Sequence, residues 1–189
     1  QNFIKLCSFG LNKYLISSDP NKNDFSNSIM IKALRNTDER IKNNQSVTPG
    51  FLMAALLWPI LISKCSKDGE VNIRKFFRSM DGVLREQQKL TAIPRKFNSY
   101  IKDIWVLQLK LHSRIKSQPY KTIRHPRFRA AYDFLLVREQ ASGDKNGLGK
   151  WWTDFQKNDD SLRGSLISSM NEKSDEESSK IFGFFKELR

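Results

Sequence analysis

The sequence predicts an all-α fold, a multi-helix bundle with a kinked central buried helix and a disordered or loosely docked C-terminal tail. Apolar residues recur at three- and four-residue spacing through most of the chain, which is the periodicity of one face of a helix. No clear run alternates apolar and polar residues between turn signals, as a half-buried strand would. Helix-start signals and prolines divide the pattern into separate helices.

The most apolar segment is FLMAALLWPILISK at residues 51–64, which follows Thr48 and Pro49. Thr before Pro resembles an N-cap with Pro at the first helical position. Because the segment is apolar nearly all round, we predict that it is the central buried helix. Pro59 lies inside it, removes a backbone donor and crowds the preceding turn, so we expect the helix to kink or restart near Trp58.

Two helices flank this segment, one over residues 26–43 and one over about residues 71–92, each with apolar side chains at helical spacing. Two more begin at prolines, at Pro94 and at Pro126. A short final helix covers residues 148–156. In the helix that begins at Pro94, an apolar stripe runs to Ile115, and Lys96, Lys110 and Arg114 line up on a neighbouring side.

The composition divides the chain into a body, residues 1–157, and a polar tail, residues 158–189. The tail is rich in Ser, Asp, Glu, Asn and Lys, a composition that buries too little apolar surface to order itself, so we predict that it is disordered. The chain begins with Gln1 and reads at once like the middle of a helix. We therefore interpret it as part of a longer protein.

The charge balance favours a polyanionic partner, because 33 Lys and Arg against 20 Asp and Glu give a net charge of +13. Cys7 and Cys65 form no CxxC pair, and only two histidines are present. This pattern is typical of a reduced, cytoplasmic protein without a metal cluster. The sequence has neither the uncharged apolar run of a membrane span nor the order of a signal peptide, so we expect no membrane partner.

One run of basic residues is uncompensated, since no acid occurs between Asp103 and Asp133. Lys and Arg on such a surface contact phosphates and release counterions, which gives affinity without sequence preference. The alternative is a solvated face that only keeps the protein soluble. The candidate RNA-binding residues are Lys96, Lys110, Arg114, Lys116, Lys121, Arg124, Arg127 and Arg129.

Four aromatic or heterocyclic side chains lie in or near this run. Tyr120 and His125 are interleaved with the bases and are candidates to stack on single-stranded nucleic acid. The alternatives are that Tyr120 closes a loop onto the core and that His125 belongs to a helix start. Trp151 and Trp152 are adjacent and point about 100° apart on a helix, so we expect one in the core and the other at the surface.

No catalytic site is recognisable. The GxGxxG, GxxxxGK[ST], HExxH and GxSxG patterns are absent. Gly164 and Ser165 with the later Asp175 and Glu177 superficially mimic the metal-binding pattern of nucleotidyltransferases. We reject this reading because the two acids lie within the solvated run KSDEESS. We expect the chain alone to be inactive, with no catalytic residue, metal or cofactor of its own.

Several strings resemble the C-terminal half of bacterial poly(A) polymerases, relatives of the CCA-adding tRNA nucleotidyltransferases, in both order and spacing. They are LRNTDERI at 34–41, TPGFLMAALLWP at 48–59, AIPRK at 92–96, DIWVLQLKL at 103–111, HPRFRAAYDFLLVRE at 125–139 and KWWTDFQ at 150–156. The last two are the most specific.

The resemblance implies the helical region that follows the catalytic head and helps to hold the single-stranded 3′ end of RNA. The complete enzyme uses ATP and a divalent metal, such as magnesium, to add adenosines without a template. Two departures are visible: the catalytic head is not in this chain, and the basic, Pro- and Arg-rich tail common in the family is replaced by a nearly balanced, Ser-rich one. Two other functions stay open, the body of a tRNA nucleotidyltransferase and a helical scaffold that binds an acidic protein.

Overall fold

The computed structural model describes residues 25–66, 72–90, 94–143 and 147–171. Within these ranges the chain forms eight helices and no strand, which confirms the predicted all-α class. The helices are α1 (Phe25–Lys42), α2 (Pro49–Ser66), α3 (Ile73–Leu90), α4 (Lys96–His112), α5 (Gln118–Ile123), α6 (Phe128–Ser142), α7 (Leu148–Lys157) and α8 (Asp160–Asn171).

Helix α2 is the centre of the bundle, as predicted, and it begins at Pro49. It packs against α1, α3 and α4, and ten of its 18 residues are buried. Among the described residues it is the one helix long and apolar enough to cross a membrane, and its burial is what a core position requires. The expected restart near Trp58 is wrong, because α2 continues through the buried Pro59 as one helix. A kink there stays a prediction.

Two apolar clusters hold the bundle together. The first surrounds Trp58, which makes edge contacts with Phe76 at 6.4 Å and Phe134 at 5.4 Å between ring centroids. The second surrounds the fully buried Trp152 and joins α7 and α8 to the ends of α4 and α6. Because α4 and α6 contribute to both clusters, they form the frame that connects the two halves.

A buried polar network lies between α4 and α6. The Gln108 amide is fully buried and donates to the backbone carbonyls of Ile104 (3.2 Å) and Ala131 (3.0 Å). Its Oε1 accepts a hydrogen bond from Arg138 Nη1 at 3.0 Å, and the Arg138 guanidinium lies 4.8 Å from the centroid of the Trp58 ring. The network therefore gives the Arg138 guanidinium a hydrogen-bond acceptor inside the core, where a polar group without one would be costly.

The predicted boundary at residue 157 does not mark the end of ordered structure. Residues 160–171, which we placed in the disordered tail, form α8. Ile167 on this helix is 6% exposed and belongs to the second apolar cluster. The apolar positions Leu166, Ile167 and Met170 recur at helical spacing within the polar composition, which explains why a composition argument missed them. The rest of the tail, from residue 172, lies outside the described residues.

Candidate nucleic-acid interface

A cleft lies where the C-terminal end of α1, the N-terminal ends of α2 and α6, and α4 meet. It has a volume of about 200 Å³. We call this site the basic cleft and define it by five of its lining residues. These residues are Arg40, Tyr100, Arg127, Arg129 and Asp133.

The end of α1 brings Arg40 to the basic cleft. Asn44 adopts a left-handed conformation (φ 54°), and the Gln45 N–H donates to the Arg40 carbonyl at 2.8 Å. With the Asn44 N–H donating to the Ile41 carbonyl, these bonds form a Schellman motif. The motif turns the chain back toward α2, and Arg40 Nη2 donates to the carbonyl of Ser46 at 3.4 Å across this turn.

The start of α6 places Arg127 and Arg129. The predicted start at Pro126 is two residues early, since α6 begins at Phe128. His125 forms part of this start, because its Nδ1 accepts the backbone N–H of Arg127 at 3.1 Å. The helix-start alternative for His125 is therefore the one that the contacts support. Both arginines are exposed.

Tyr100 forms the aromatic wall of the basic cleft. Its ring packs against the backbone of Gly50 so closely that a Cβ on Gly50 would lie 2.7 Å from Tyr100 Cδ1. The Arg127 guanidinium lies over the same ring, 4.6 Å from the centroid, which is a cation–π distance. Glycine at position 50 thus allows the ring to reach the place where Arg127 stacks on it.

Asp133 is the acid in this set of five and lies between two arginines. Its carboxylate is 3.2 Å from Arg129 Nε and 3.5 Å from Arg40 Nη1. Burial raises the pKa of Asp133, whereas Arg129 and Arg40 act in the opposite direction. With Asp133 ionised, three guanidiniums and one carboxylate leave a net charge of +2 in the cleft.

The structure brings two of the eight sequence-predicted RNA-binding residues together in the cleft, Arg127 and Arg129. Five others are exposed but do not line it: Lys96, Lys110, Lys116, Lys121 and Arg124. The eighth, Arg114, is half-buried, and its guanidinium lies 5.8 Å from the centroid of the Trp151 ring. RNA binding by this set of eight stays a prediction.

The expected basic side of α4 is wrong in one respect. We placed Lys96, Lys110 and Arg114 on one helix, but α4 ends at His112. The chain then turns through Lys116, which adopts a left-handed conformation (φ 51°), before α5 begins. Arg114 therefore lies in a connection and packs on Trp151. Periodicity alone did not reveal this end because the apolar spacing continues to Ile115.

Three of the four aromatic candidates, Tyr120, Trp151 and Trp152, lie in the core or pack against it. The Tyr120 ring makes an edge contact with Phe155 (5.4 Å between centroids) and packs against the second cluster. Both tryptophans are buried: Trp152 is fully buried, and Trp151 is 9% exposed. The expectation of one surface tryptophan is wrong, because α7 lies between several neighbours and the Arg114 side chain covers Trp151.

Three members of the cleft were missed at the level of sequence: Arg40, Asp133 and Tyr100, the last of which lies in none of the strings that carry the resemblance. Arg40 lies 87 positions before Arg127, outside the acid-free run. Asp133 was used only to mark where that run ends. The strings LRNTDERI and HPRFRAAYDFLLVRE contain Arg40 and Asp133, so the resemblance was the signal available for these two. Gly164 and Ser165, whose catalytic reading we rejected, lie within α8, and their companions Asp175 and Glu177 lie outside the described residues.

Comparison with known proteins gives consistent matches. The family model described as polymerase A arginine-rich C-terminus matches residues 68–181. The chain is 37% identical over 134 residues to Poly(A) polymerase I of Salmonella typhi, which covers 68% of this chain and 29% of the relative. Poly(A) polymerase I of Haemophilus influenzae is 34% identical over 151 residues, 77% of this chain and 33% of the relative. The chain thus spans 29–33% of the length of these relatives.

Proposed function

This chain belongs to the bacterial poly(A) polymerase family and corresponds to its C-terminal region, and on that premise we propose that it binds and positions RNA. The complete enzyme would add adenosines from ATP to RNA 3′ ends without a template. ATP and a divalent metal would be bound by a catalytic head that is not part of this chain. The role of the chain is to hold the single-stranded 3′ region, in the cytoplasm and away from membranes.

The basic cleft is the observation that carries the proposal. Its three arginines come from α1 and from the start of α6, and two of them, Arg40 and Arg129, pair with the Asp133 carboxylate. Guanidinium groups match the geometry of phosphate oxygens and form charge-assisted hydrogen bonds with them. Arg127 and Arg129 belong to the acid-free run from residue 104 to 132, and the other exposed basic residues of this run add positive charge that attracts a polyanion.

Direct titration tests the proposal. A labelled single-stranded RNA is titrated with the chain at two salt concentrations while fluorescence is followed. We expect binding that weakens steeply with salt, because each phosphate contact releases counterions. No binding at low salt would make the basic surface a solubility feature and would contradict the proposal.

A triple variant tests the placement. Replacing Arg124, Arg127 and Arg129 with Ala should weaken RNA binding without unfolding the domain. A matched control removes three exposed arginines of α3, Arg74, Arg78 and Arg85, and so has the same net charge. Unchanged affinity in a folded triple variant would exclude the α5–α6 region as the RNA-binding surface.

Two competitors separate this proposal from the other candidate functions. Each competitor is added to the chain bound to labelled oligo(A). If folded tRNA displaces the label far better than unlabelled oligo(A) does, the result favours the body of a tRNA nucleotidyltransferase. A protein-binding scaffold is favoured if the chain still binds an acidic protein after ribonuclease treatment and if its affinity for RNA does not change with RNA length. We expect oligo(A) to compete well and longer RNA to compete better.

A further inference from the structure

We propose that the basic cleft holds one nucleotide of a single-stranded RNA, with its phosphate on Arg127 and Arg129 and its base stacked on Arg127. This inference rests on the proposed function and deepens it, because it names the site and the part of the RNA that each side chain recognises. The other basic residues would then contribute long-range attraction rather than direct recognition.

The charges of the cleft favour a phosphate. Asp133 compensates one of the three guanidiniums, and its side chain is only 17% exposed, so it sits beneath the arginines. Arg129 is its more exposed partner, at 72%, and can add a phosphate oxygen to its hydrogen bonds without leaving Asp133. A phosphodiester brings one negative charge to a site with a net charge of +2, and therefore lowers the local repulsion among the arginines.

The stack on Tyr100 favours a base. The central carbon of the Arg127 guanidinium lies 4.6 Å from the centroid of the Tyr100 ring. Arg127 is also exposed, so a second flat group can reach its planar guanidinium. Nucleobases stack on aromatic rings and on arginine planes, and this contact is tolerant of sequence because every base has a π-face.

The size of the cleft favours a strand over a free nucleotide. Pockets that enclose drug-sized ligands have volumes of roughly 300–1,000 Å³, and this cleft has about 200 Å³. It is large enough for a phosphate and part of a nucleoside, with the rest outside. A strand that crosses the cleft meets this condition and gains further contacts on the exposed basic surface, whereas a mononucleotide such as ATP would leave much of itself uncovered.

Paired variants of the full chain test the inference by fluorescence anisotropy with labelled oligo(A). The double variant Arg127→Gln with Arg129→Gln should weaken binding and lower the slope of log affinity against log salt by about 0.7 per lost phosphate contact. The control, Arg74→Gln with Arg78→Gln on α3, has the same charge and should change the slope less. The single variant Arg127→Gln keeps both ion pairs of Asp133 and replaces the double variant if the latter unfolds.

Stacking has a separate readout. Tyr100→Leu removes the platform under Arg127 and should lower affinity about five-fold or more at an unchanged salt slope. Tyr100→Phe keeps the ring and should bind RNA more tightly than the Leu variant. Equal affinities for the Leu and Phe variants would overturn the stacking part of the inference.

The outcomes separate the inference from the proposed function. If the wild type binds RNA but the cleft and control double variants lose affinity equally, the cleft assignment is wrong and RNA binding stands. If the wild type does not bind RNA, the proposed function itself fails. If ATP displaces oligo(A) at concentrations comparable to those of unlabelled RNA, the cleft is a mononucleotide site and the strand assignment is overturned.

Discussion

The Arg127 guanidinium lies 4.6 Å from the centroid of the Tyr100 ring. This contact joins the start of α6 to α4, and the same ring touches the backbone of Gly50 at the start of α2. Three elements that are far apart in sequence are therefore held by one aromatic side chain. Changes to this ring or to its neighbours should affect both stability and the shape of the basic cleft.

Gly50→Ala should destabilise the protein by about 1–2 kcal/mol. The new Cβ would lie 2.7 Å from Tyr100 Cδ1 and 3.3 Å from Phe97 Cδ1, so the rings must shift. Overpacking of this kind costs about 1–3 kcal/mol, and the better helix propensity of Ala returns at most about 1 kcal/mol. Urea unfolding measures the difference.

The matched control for this change is Gly82→Ala on α3. A Cβ there would meet only the Lys64 Nζ atom, at 4.0 Å. Ala should therefore stabilise the helix by about 0.5–1 kcal/mol. If Gly50→Ala stabilised the protein as Gly82→Ala does, the close packing of Tyr100 on Gly50 would be contradicted.

Gln108→Leu should lower the free energy of unfolding by about 1–3 kcal/mol. Leu removes an acceptor from Arg138 Nη1 and a donor from the carbonyl of Ala131, both inside the core. The same substitution at the exposed Gln88 of α3 should change stability by less than about 0.5 kcal/mol. Thermal and urea unfolding of both variants check this, and equal effects would show that the network contributes nothing.

His112 should make the protein less stable in mild acid. Its pKa is lowered from 6.5 to about 3 by burial first and then by Arg138 and Arg114. Between these pH values the unfolded chain binds a proton that the folded chain does not, so stability falls as the pH falls, by about 1.4 kcal/mol per unit.

The variant His112→Gln lacks this effect and isolates it, since all other titrating groups are shared with the wild type. The free energy of unfolding of the wild type minus that of the variant should be about 2 kcal/mol lower at pH 5.0 than at pH 7.5. Urea unfolding of both proteins at the two pH values provides the measurement. A constant difference would mean that the folded His112 titrates near its ordinary pKa.

Helix α8 should contribute to the stability of the bundle. Ile167→Ala should cost about 2 kcal/mol, because Ile167 is 6% exposed within the second apolar cluster. Leu162→Ala on the same helix should be nearly neutral, since Leu162 is 52% exposed. Equal melting temperatures for the two variants would place α8 outside the cooperative fold.

Most helices were predictable because local signals specify them. The apolar periodicity of residues 26–43 and the Thr48–Pro49 start correspond to α1 and α2. The errors occurred where packing overrode a local signal. Pro59 did not end α2, since neighbouring helices cover it, and the stripe toward Ile115 continued past the end of α4.

The family resemblance and the basic character were also read from the sequence, and the family is confirmed by the matches. The acid-free run identified Arg127 and Arg129, although which basic residues touch RNA stays a prediction. Charge counting could not identify Arg40 or the role of Asp133. Arg40 lies in a helix that carries both acids and bases, and Asp133 only ends the basic run, so neither position has an unusual local charge pattern.

The sequence by itself determined the helical class, the buried centre at α2 and the excess of positive charge, since each depends on spacing or composition within one segment. Only the tertiary structure decided that Arg40, Tyr100, Arg127, Arg129 and Asp133 share one cleft. Their meeting depends on the Schellman turn after α1, on the approach of Tyr100 to Gly50 and on the packing of α1 against α6. These contacts join residues up to 93 positions apart, and the periodicity of one segment carries no information about such distances.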